Sequence, residues 1–111
     1  MIVGRTRRDV RVPGQADLVA ETDLHAKEIN MPKDSLRGLD DTGAARVMIS
    51  MEMKDNDYGR GFGAFASVSL ACRQDEESVG RAYAEATALA AEFVQEAFGI
   101  AGERYQAMRA K

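Results

Sequence analysis

Two neighbouring segments in the middle of the chain alternate between apolar and polar residues, as half-buried strands of an antiparallel sheet do. In residues 46–54 the apolar positions are Val47, Ile49, Met51 and Met53. In residues 62–73 the apolar face carries Phe62, Ala64, Ala66, Val68, Leu70 and Cys72. The linker at residues 55–61, DNDYGRG, is rich in Gly and Asp, so the two segments are predicted to form a β-hairpin.

Residues 75–98 show the clearest helical pattern, because their apolar side chains recur at intervals of three and four. These positions are Val79, Ala82, Tyr83, Ala86, Leu89, Ala90, Phe93, Val94, Ala97 and Phe98. Asp75 is expected to cap the N-terminus of the helix. Gly99 is expected to end it, which leaves residues 100–111 as a short C-terminal tail.

Residues 16–31 fit either a strand or a helix. A strand places Leu18, Ala20, Thr22, Leu24 and Ala26 on one face, whereas a helix gives only a thin apolar stripe, so the alternation favours a strand. Pro32 is expected to end this element, because proline disfavours a helical residue before it. Residues 33–45 are predicted to be a loop with a short helical turn at 34–39.

Residues 1–14 combine sparse apolar residues with four arginines, Arg5, Arg7, Arg8 and Arg11. Pro13 and Gly14 break any regular element that precedes them. We predict a basic N-terminal arm or an edge strand, which could lie along phosphate groups. The 111 residues are expected to form a single domain, with this arm at 1–14 and the tail at 100–111.

These elements predict an α+β fold, in which an antiparallel sheet of three or four strands packs on one long C-terminal helix. One helix leaves part of such a sheet uncovered, so a homodimer or higher oligomer is expected. The formal net charge of −3 argues against a generally basic nucleic-acid binder but allows local basic patches. A single cysteine and the lack of a long apolar run in the sequence favour a cytoplasmic protein with no membrane partner.

The segment RGFGAF at residues 60–65 resembles the start of the octamer by which RNA recognition motifs stack bases. Phe62 and Phe65 are three residues apart, however, so a regular strand points them to opposite faces. We therefore interpret the segment as a turn that leads into a core strand. Phe65 falls on the polar face with Ser67 and Ser69, where it could stack on a base or be covered by the N-terminal segment.

Other candidate chemistry is weak. Glu21, Asp23 and His25 could share a strand face and bind a metal, but a solvated face is the better interpretation of this trio. Cys72 lies on an apolar face, and the sequence contains no nucleophile elbow, phosphate-binding loop or dinucleotide fingerprint. We expect no enzyme, no cofactor and no metal. An enzyme would need a pocket that joins His25 to at least two carboxylates.

The segment RVMISMEMKDNDYGRGFGAFASVSLACRQDEESVGRAYAEATALAAEFVQEAF, residues 46–98, resembles a pattern found in short proteins of phage genomes. Those proteins combine an alternating strand, an acidic loop with Tyr and Gly, a second strand, an acidic helix cap and one Ala-rich helix. The resemblance implies a setting beside DNA metabolism. It implies no activity and no functional residues.

The leading hypothesis is a non-enzymatic binding module for single-stranded nucleic acid, acting as a phage-type accessory of DNA metabolism. Phosphates would be bound by Arg5, Arg7, Arg8 and Arg11, and bases would stack on a patch made of Tyr58, Arg60 and Phe65. DNA and RNA are equally compatible with these residues. The alternative is a homo-oligomeric protein-interaction module, a small regulator or inhibitor of a host factor, whose hairpin face uses Asp55 and Asp57 for specificity.

Overall fold

The computed structural model describes residues 1–37, 39, 45–55 and 61–109. Its strands are β1 (Ile2–Arg11), β2 (Leu18–His25), β3 (Ala45–Lys54) and β4 (Gly63–Cys72). A 3₁₀ turn at Ala26–Glu28 follows β2, and the α-helices are α1 (Lys33–Leu36) and α2 (Glu76–Arg109). Within the described residues, no helix is long and apolar enough to cross a membrane.

The four strands form one antiparallel sheet in the order β2-β1-β4-β3, which packs on α2. The predicted α+β class is therefore confirmed, with four strands and one long helix. Two hairpins, β1–β2 and β3–β4, are joined through the pairing of β1 with β4. The hairpin predicted from the two alternating segments is β3–β4, and the preference for a strand within residues 16–31 is confirmed by β2.

The N-terminal segment, predicted as a basic arm or an edge strand, is an interior strand between β2 and β4. Both of its edges form backbone ladders, from Gly4 opposite Leu70 to Arg11 opposite Gly63 on the β4 side. A Cβ atom on Gly4 would overlap the carbonyl oxygen of Ser69 and lie 2.7 Å from Leu70 Cδ2. The close approach of β1 to β4 thus depends on glycine at this position.

The break expected at Pro13 and Gly14 is the turn between β1 and β2. The backbone N–H of Gln15 donates to the carbonyl oxygen of Val12 at 3.1 Å. Gly14 has φ +81°, a conformation that glycine adopts without the steric cost of a Cβ atom. Proline followed by glycine at the centre of such a turn is typical of type II.

Helix α2 begins as predicted but ends later than predicted. Asp75 Oδ1 accepts a hydrogen bond from the backbone N–H of Ser78 at 2.8 Å, which caps the helix. At the other end, α2 continues through Gly99 to Arg109. The extension is held by aromatic packing, because the ring of Phe62 lies 5.1 Å from the ring of Phe98 and 5.2 Å from that of Tyr105. These tertiary contacts outweigh the weak helix propensity of one glycine.

Small side chains line the buried stripe of α2, namely Ser78, Ala82, Ala86, Ala90, Val94, Ala97 and Ala101. They allow the helix to lie close to β4 and β3, which it covers more fully than β1. One core cluster joins Val68, Leu70 and Cys72 to the first half of this stripe. A second cluster joins Val10, Ala64 and Ala66 to its second half. The face of the sheet that points away from α2 is the remaining large surface.

Candidate nucleic-acid interface

The sheet face that points away from α2, which we call the open face, is polar across all four strands. The strand register places every second residue of each strand on this face. Its polar members are Glu21 and Asp23 on β2; Arg5, Arg7, Asp9 and Arg11 on β1; Ser67 and Ser69 on β4; and Arg46, Ser50, Glu52 and Lys54 on β3. Its apolar members include Val19 on β2, Phe65 and Ala71 on β4 and Met48 on β3. The open face therefore offers arginines, hydroxyl groups and one aromatic ring to a ligand.

Four of the residues predicted to bind nucleic acid lie together on the open face. Arg5, Arg7 and Arg11 project from β1, and Phe65 projects from the neighbouring strand β4, where it is half-buried. The prediction that Phe65 shares a face with Ser67 and Ser69 agrees with this arrangement.

Arg8 was predicted to contact phosphates, but it lies on the opposite face of β1. Its Nη1 donates to Glu96 Oε2 at 3.2 Å, and its guanidinium carbon lies 4.3 Å from the centre of the Phe93 ring. Arg8 thus binds α2 and is not part of the open face. Tyr58, Arg60 and Asp57 lie outside the described residues, so the proposed stacking patch is represented here by Phe65.

An ion-pair network surrounds Phe65. Its neighbours on the two adjacent strands are Asp9 and Glu52. Arg7 Nε lies 3.0 Å from Asp9 Oδ1, and Arg11 Nη2 lies 3.4 Å from Asp9 Oδ2. Glu52 in turn lies 3.1 Å from the Lys54 ammonium and 3.8 Å from Arg11.

This network balances its own charge once Asp17 is included, because Asp17 Oδ2 lies 3.9 Å from Arg11 Nε and makes three carboxylates against three cationic side chains. The side chain of Asp9 is only 6% exposed, so it is enclosed by its two arginine partners. The hydrogen bond from Arg7 to Asp9, together with the charge of Asp9, raises the pKa of the Arg7 guanidinium above its ordinary value. A phosphate that approached Arg7 or Arg11 would have to compete with carboxylates already in place.

The opposite end of the open face, near the start of β1, is different. A depression of about 790 Å³ lies there, and its polar lining consists of Arg5, Asp23, Arg46 and Ser69. Arg46 Nη1 donates to Ser69 Oγ at 3.1 Å, and Arg5 Nε lies 3.4 Å from Asp23 Oδ1. Among the described lining residues, two guanidinium groups therefore face one carboxylate, which is an excess of positive charge within that set. The rest of the lining is apolar and includes Met1, Ile2, Val3, Leu39, Ala45 and Ala71.

Arg46 was not among the predicted binding residues. The alternating pattern places Arg46 on the polar face of β3, but it does not reveal which strand pairs with the other edge of β4. Pairing of β1 with β4 sets Arg5 opposite Ser69, and this brings two arginines from different hairpins to one hydroxyl group. The sequence signal for Arg46 was its position on a polar strand face, and the missing information was the strand order.

Catalytic and metal-binding chemistry gains no support from the described residues. In that part of the chain, no group of three or more His, Cys, Asp and Glu side chains is placed to hold a metal ion. Glu21, Asp23 and His25 occupy alternate positions along β2, as residues on a solvated strand face do. Cys72 is fully buried, and burial, with the nearby charge of Asp75, raises the pKa of its thiol. A thiol of this kind is a poor nucleophile.

Comparisons with protein-family models, curated proteins and solved structures gave no match to this chain.

Proposed function

We propose that this chain is a non-enzymatic binding module that holds single-stranded nucleic acid on its open face. The proposal rests on the depression where Arg5 and Arg46 flank Ser69 and where Asp23 is the one carboxylate among the described lining residues. A phage-type role beside DNA metabolism and a cytoplasmic location are part of the same proposal, motivated by the sequence resemblance and the single cysteine.

A phosphate group suits this depression chemically. Guanidinium groups bind phosphate oxygens through paired, charge-assisted hydrogen bonds, and a serine hydroxyl can donate one more. Arg46 already donates to Ser69 Oγ at 3.1 Å, so both side chains are directed into the same space. The first contact of the nucleic-acid backbone is therefore assigned to Arg5, Arg46 and Ser69.

Phe65 supplies the second contact. It lies four residues from Ser69 on the same face of β4, which places the two side chains about 13 Å apart along the strand. A single strand bound at the depression could follow β4 and stack one base on the Phe65 ring, since stacking tolerates any base. Arg7 and Arg11 would add screened, non-specific attraction, because Asp9 already neutralises much of their charge.

The test is fluorescence anisotropy of a labelled single-stranded oligonucleotide at several salt concentrations. We expect the Arg5→Gln/Arg46→Gln double variant to bind at least tenfold more weakly at low salt. The slope of log K against log salt should also become shallower by about 1.4, since each lost phosphate contact to a single strand changes it by roughly 0.7.

The matched control is Arg104→Gln, which removes an exposed arginine from α2 on the other side of the molecule. It should bind as the wild type does. The proposal fails if the wild-type chain does not bind at low salt, or if Arg104→Gln weakens binding as much as the double variant.

A protein-interaction module is the second candidate, and the ion-pair network around Phe65 favours it. Positive and negative side chains are interspersed around one half-buried ring, namely Asp9, Glu52, Arg7, Arg11 and Lys54. Such a charge pattern can select a complementary protein surface. Capture of cellular proteins after nuclease treatment separates the two functions, because only protein contacts survive it. A partner lost with Phe65→Ala but kept with Arg5→Gln/Arg46→Gln would favour this second function.

A further inference from the structure

Strand β3 forms one edge of the sheet, and its side chains alternate between half-buried and exposed along its whole length. Its α2-facing side chains are half-buried, namely Val47, Ile49, Met51 and Met53. Its exposed side chains are Arg46, Met48, Ser50, Glu52 and Lys54. Within the described residues, the only strand that pairs with β3 is β4. The backbone N–H and C=O groups on the outer side of this ten-residue strand are therefore open to another strand.

The other edge of the sheet, β2, is protected against self-pairing. It carries Glu21 and Asp23 on the open face. If two copies of β2 paired around a two-fold axis near the middle of the strand, Glu21 would face either itself or Asp23. Like charges directly opposite each other destabilise a strand pair, and charged edges commonly prevent such association.

On β3 the outcome of self-pairing depends on the register. Two antiparallel registers pair the longest part of the strand, one centred on Ser50 and one centred on Ile49. The first sets Arg46 opposite the second copy's Lys54, which is unfavourable. The second sets Arg46 opposite the second copy's Glu52, and the two-fold axis repeats this ion pair. It also sets Val47 opposite Met51 and Met48 opposite Ser50.

We propose that two copies of this chain associate through β3 in the register centred on Ile49. The product is a continuous eight-stranded sheet with both α2 helices on one side and both open faces on the other. The occupant of the β3 edge is therefore a second copy, selected by the complementarity of Arg46 and Glu52 across the axis.

The side chains that make this pair are available for it. Arg46 is exposed and bonds only to Ser69 among its described neighbours, at 3.1 Å. The Glu52 side chain is 44% exposed, and its partners Lys54 and Arg11 lie on the open face of the same subunit. Pairing would add Arg46 to these contacts without breaking the ladder between β3 and β4. Arg46 is also assigned to the phosphate contact, and its guanidinium group has five N–H donors, enough to serve both partners.

The test is sedimentation equilibrium of the full chain without nucleic acid. We expect the wild type to form dimers, and each of the single variants Arg46→Glu and Glu52→Arg to raise the dimer dissociation constant about tenfold or more, because each sets two pairs of like charges against each other. The double variant Arg46→Glu/Glu52→Arg restores opposite charges across the axis. It should return the dissociation constant to within about threefold of the wild type.

Lys54→Glu is the register control. In the register centred on Ile49, Lys54 lies beyond the directly paired residues and is only diagonal to Arg46 of the second copy, so this change should shift the dimer dissociation constant by no more than about threefold. In the register centred on Ser50 it would face Arg46 and tighten the dimer. Circular dichroism of each variant confirms that loss of dimer is not loss of fold. A wild-type chain that remains monomeric at about 100 µM overturns the proposal. So does a double variant whose dimer dissociation constant stays as high as those of the single variants.

Discussion

The guanidinium carbon of Arg8 lies 4.3 Å from the centre of the Phe93 ring, so the side chain of an interior strand rests on the face of a helical aromatic residue. The same guanidinium group donates to Glu96 Oε2 at 3.2 Å. These two contacts connect β1 to α2 beside the region of the sheet that the helix covers least. Arg8 thereby stabilises the fold, whereas Arg5, Arg7 and Arg11 on the same strand lie on the open face.

Replacement of Arg8 by alanine should lower the free energy of unfolding by about 1 kcal/mol. A partly exposed cation–π contact contributes about 0.5–1 kcal/mol, and a surface ion pair contributes less than that. Arg8→Lys keeps the charge near Glu96 but loses the planar group over Phe93, so its stability should be intermediate. Urea denaturation followed by circular dichroism measures both. An alanine variant as stable as the wild type would contradict a structural role for Arg8.

Replacement of Thr6 by valine should stabilise the fold. Its hydroxyl group is buried between sheet and helix and has no hydrogen-bond partner within the described residues. Thr6→Val replaces that group with a methyl of similar size, so we expect thermal denaturation to show a gain of about 1 kcal/mol. Thr22 faces Thr6 on β2 but is exposed, and Thr22→Val should change little. A destabilised Thr6→Val variant would imply a partner for the hydroxyl.

Local periodicity was enough to predict β3, β4 and the start of α2, because each of these elements carries its own apolar face. It was not enough for β1, whose arginines point to both faces and whose place inside the sheet comes from two backbone ladders. The end of α2 was missed for a similar reason. Gly99 is a local stop signal, and the contact between Phe62 and Tyr105 that overrides it joins distant parts of the chain.

The residues of the candidate site also differ in whether the sequence alone could place them. Phe65 was placed on the polar face by alternation alone. The place of Arg46 in the candidate site appeared only when the strand order set Arg5 opposite Ser69, whose Oγ accepts from Arg46 Nη1 at 3.1 Å. Arg8 shows the converse error, since its position in a basic cluster suggested a phosphate contact until the face of β1 on which it lies was known.

Asp75 should make the stability of α2 depend on pH. Hydrogen bonds from the backbone N–H and hydroxyl of Ser78, with a smaller effect from the charge of Arg73, lower the pKa of Asp75 below its ordinary value near 3.8. A carboxyl group with a lowered pKa in the folded state stabilises the fold fully above its unfolded pKa, and loses that effect as the pH falls through the folded value. The stabilisation should therefore be constant at neutral pH and decline below about pH 4.

The measurement is the thermal midpoint of the wild type and of two variants between pH 2 and 7. Asp75→Ala removes the cap, so its midpoint should be lower at pH 7 and should approach that of the wild type at the acid end. Asp75→Asn keeps an acceptor for the Ser78 N–H but cannot ionise. The thermal midpoint of Asp75→Asn should remain close to that of the wild type at pH 7. Its decrease at low pH should lack the part that comes from protonation of Asp75. A constant gap between wild type and Asp75→Ala over the whole range would exclude the ionised cap.

Two glycines should respond to alanine in opposite directions. At Gly4 an added Cβ atom would overlap the backbone carbonyl of Ser69, which cannot move without opening the pairing of β1 with β4. At Gly80, within α2, the added carbon would meet nothing within 4 Å among the described residues apart from its chain neighbours and the nearby backbone of its own helix. We expect Gly4→Ala to cost about 3 kcal/mol or more, whereas Gly80→Ala should gain about 1 kcal/mol because alanine is the better helix former.

Urea denaturation of both variants tests the close approach of β1 to β4 directly. Gly99→Ala serves as a second helical control, since its added carbon also has open space and should stabilise α2 by a similar amount. The comparison separates a steric effect from any general effect of replacing glycine. A Gly4→Ala variant that gained stability alongside Gly80→Ala would mean that β1 does not lie in the interior of the sheet. In that case Arg5 would lose its place opposite Ser69, and with it the phosphate contact assigned to the open face.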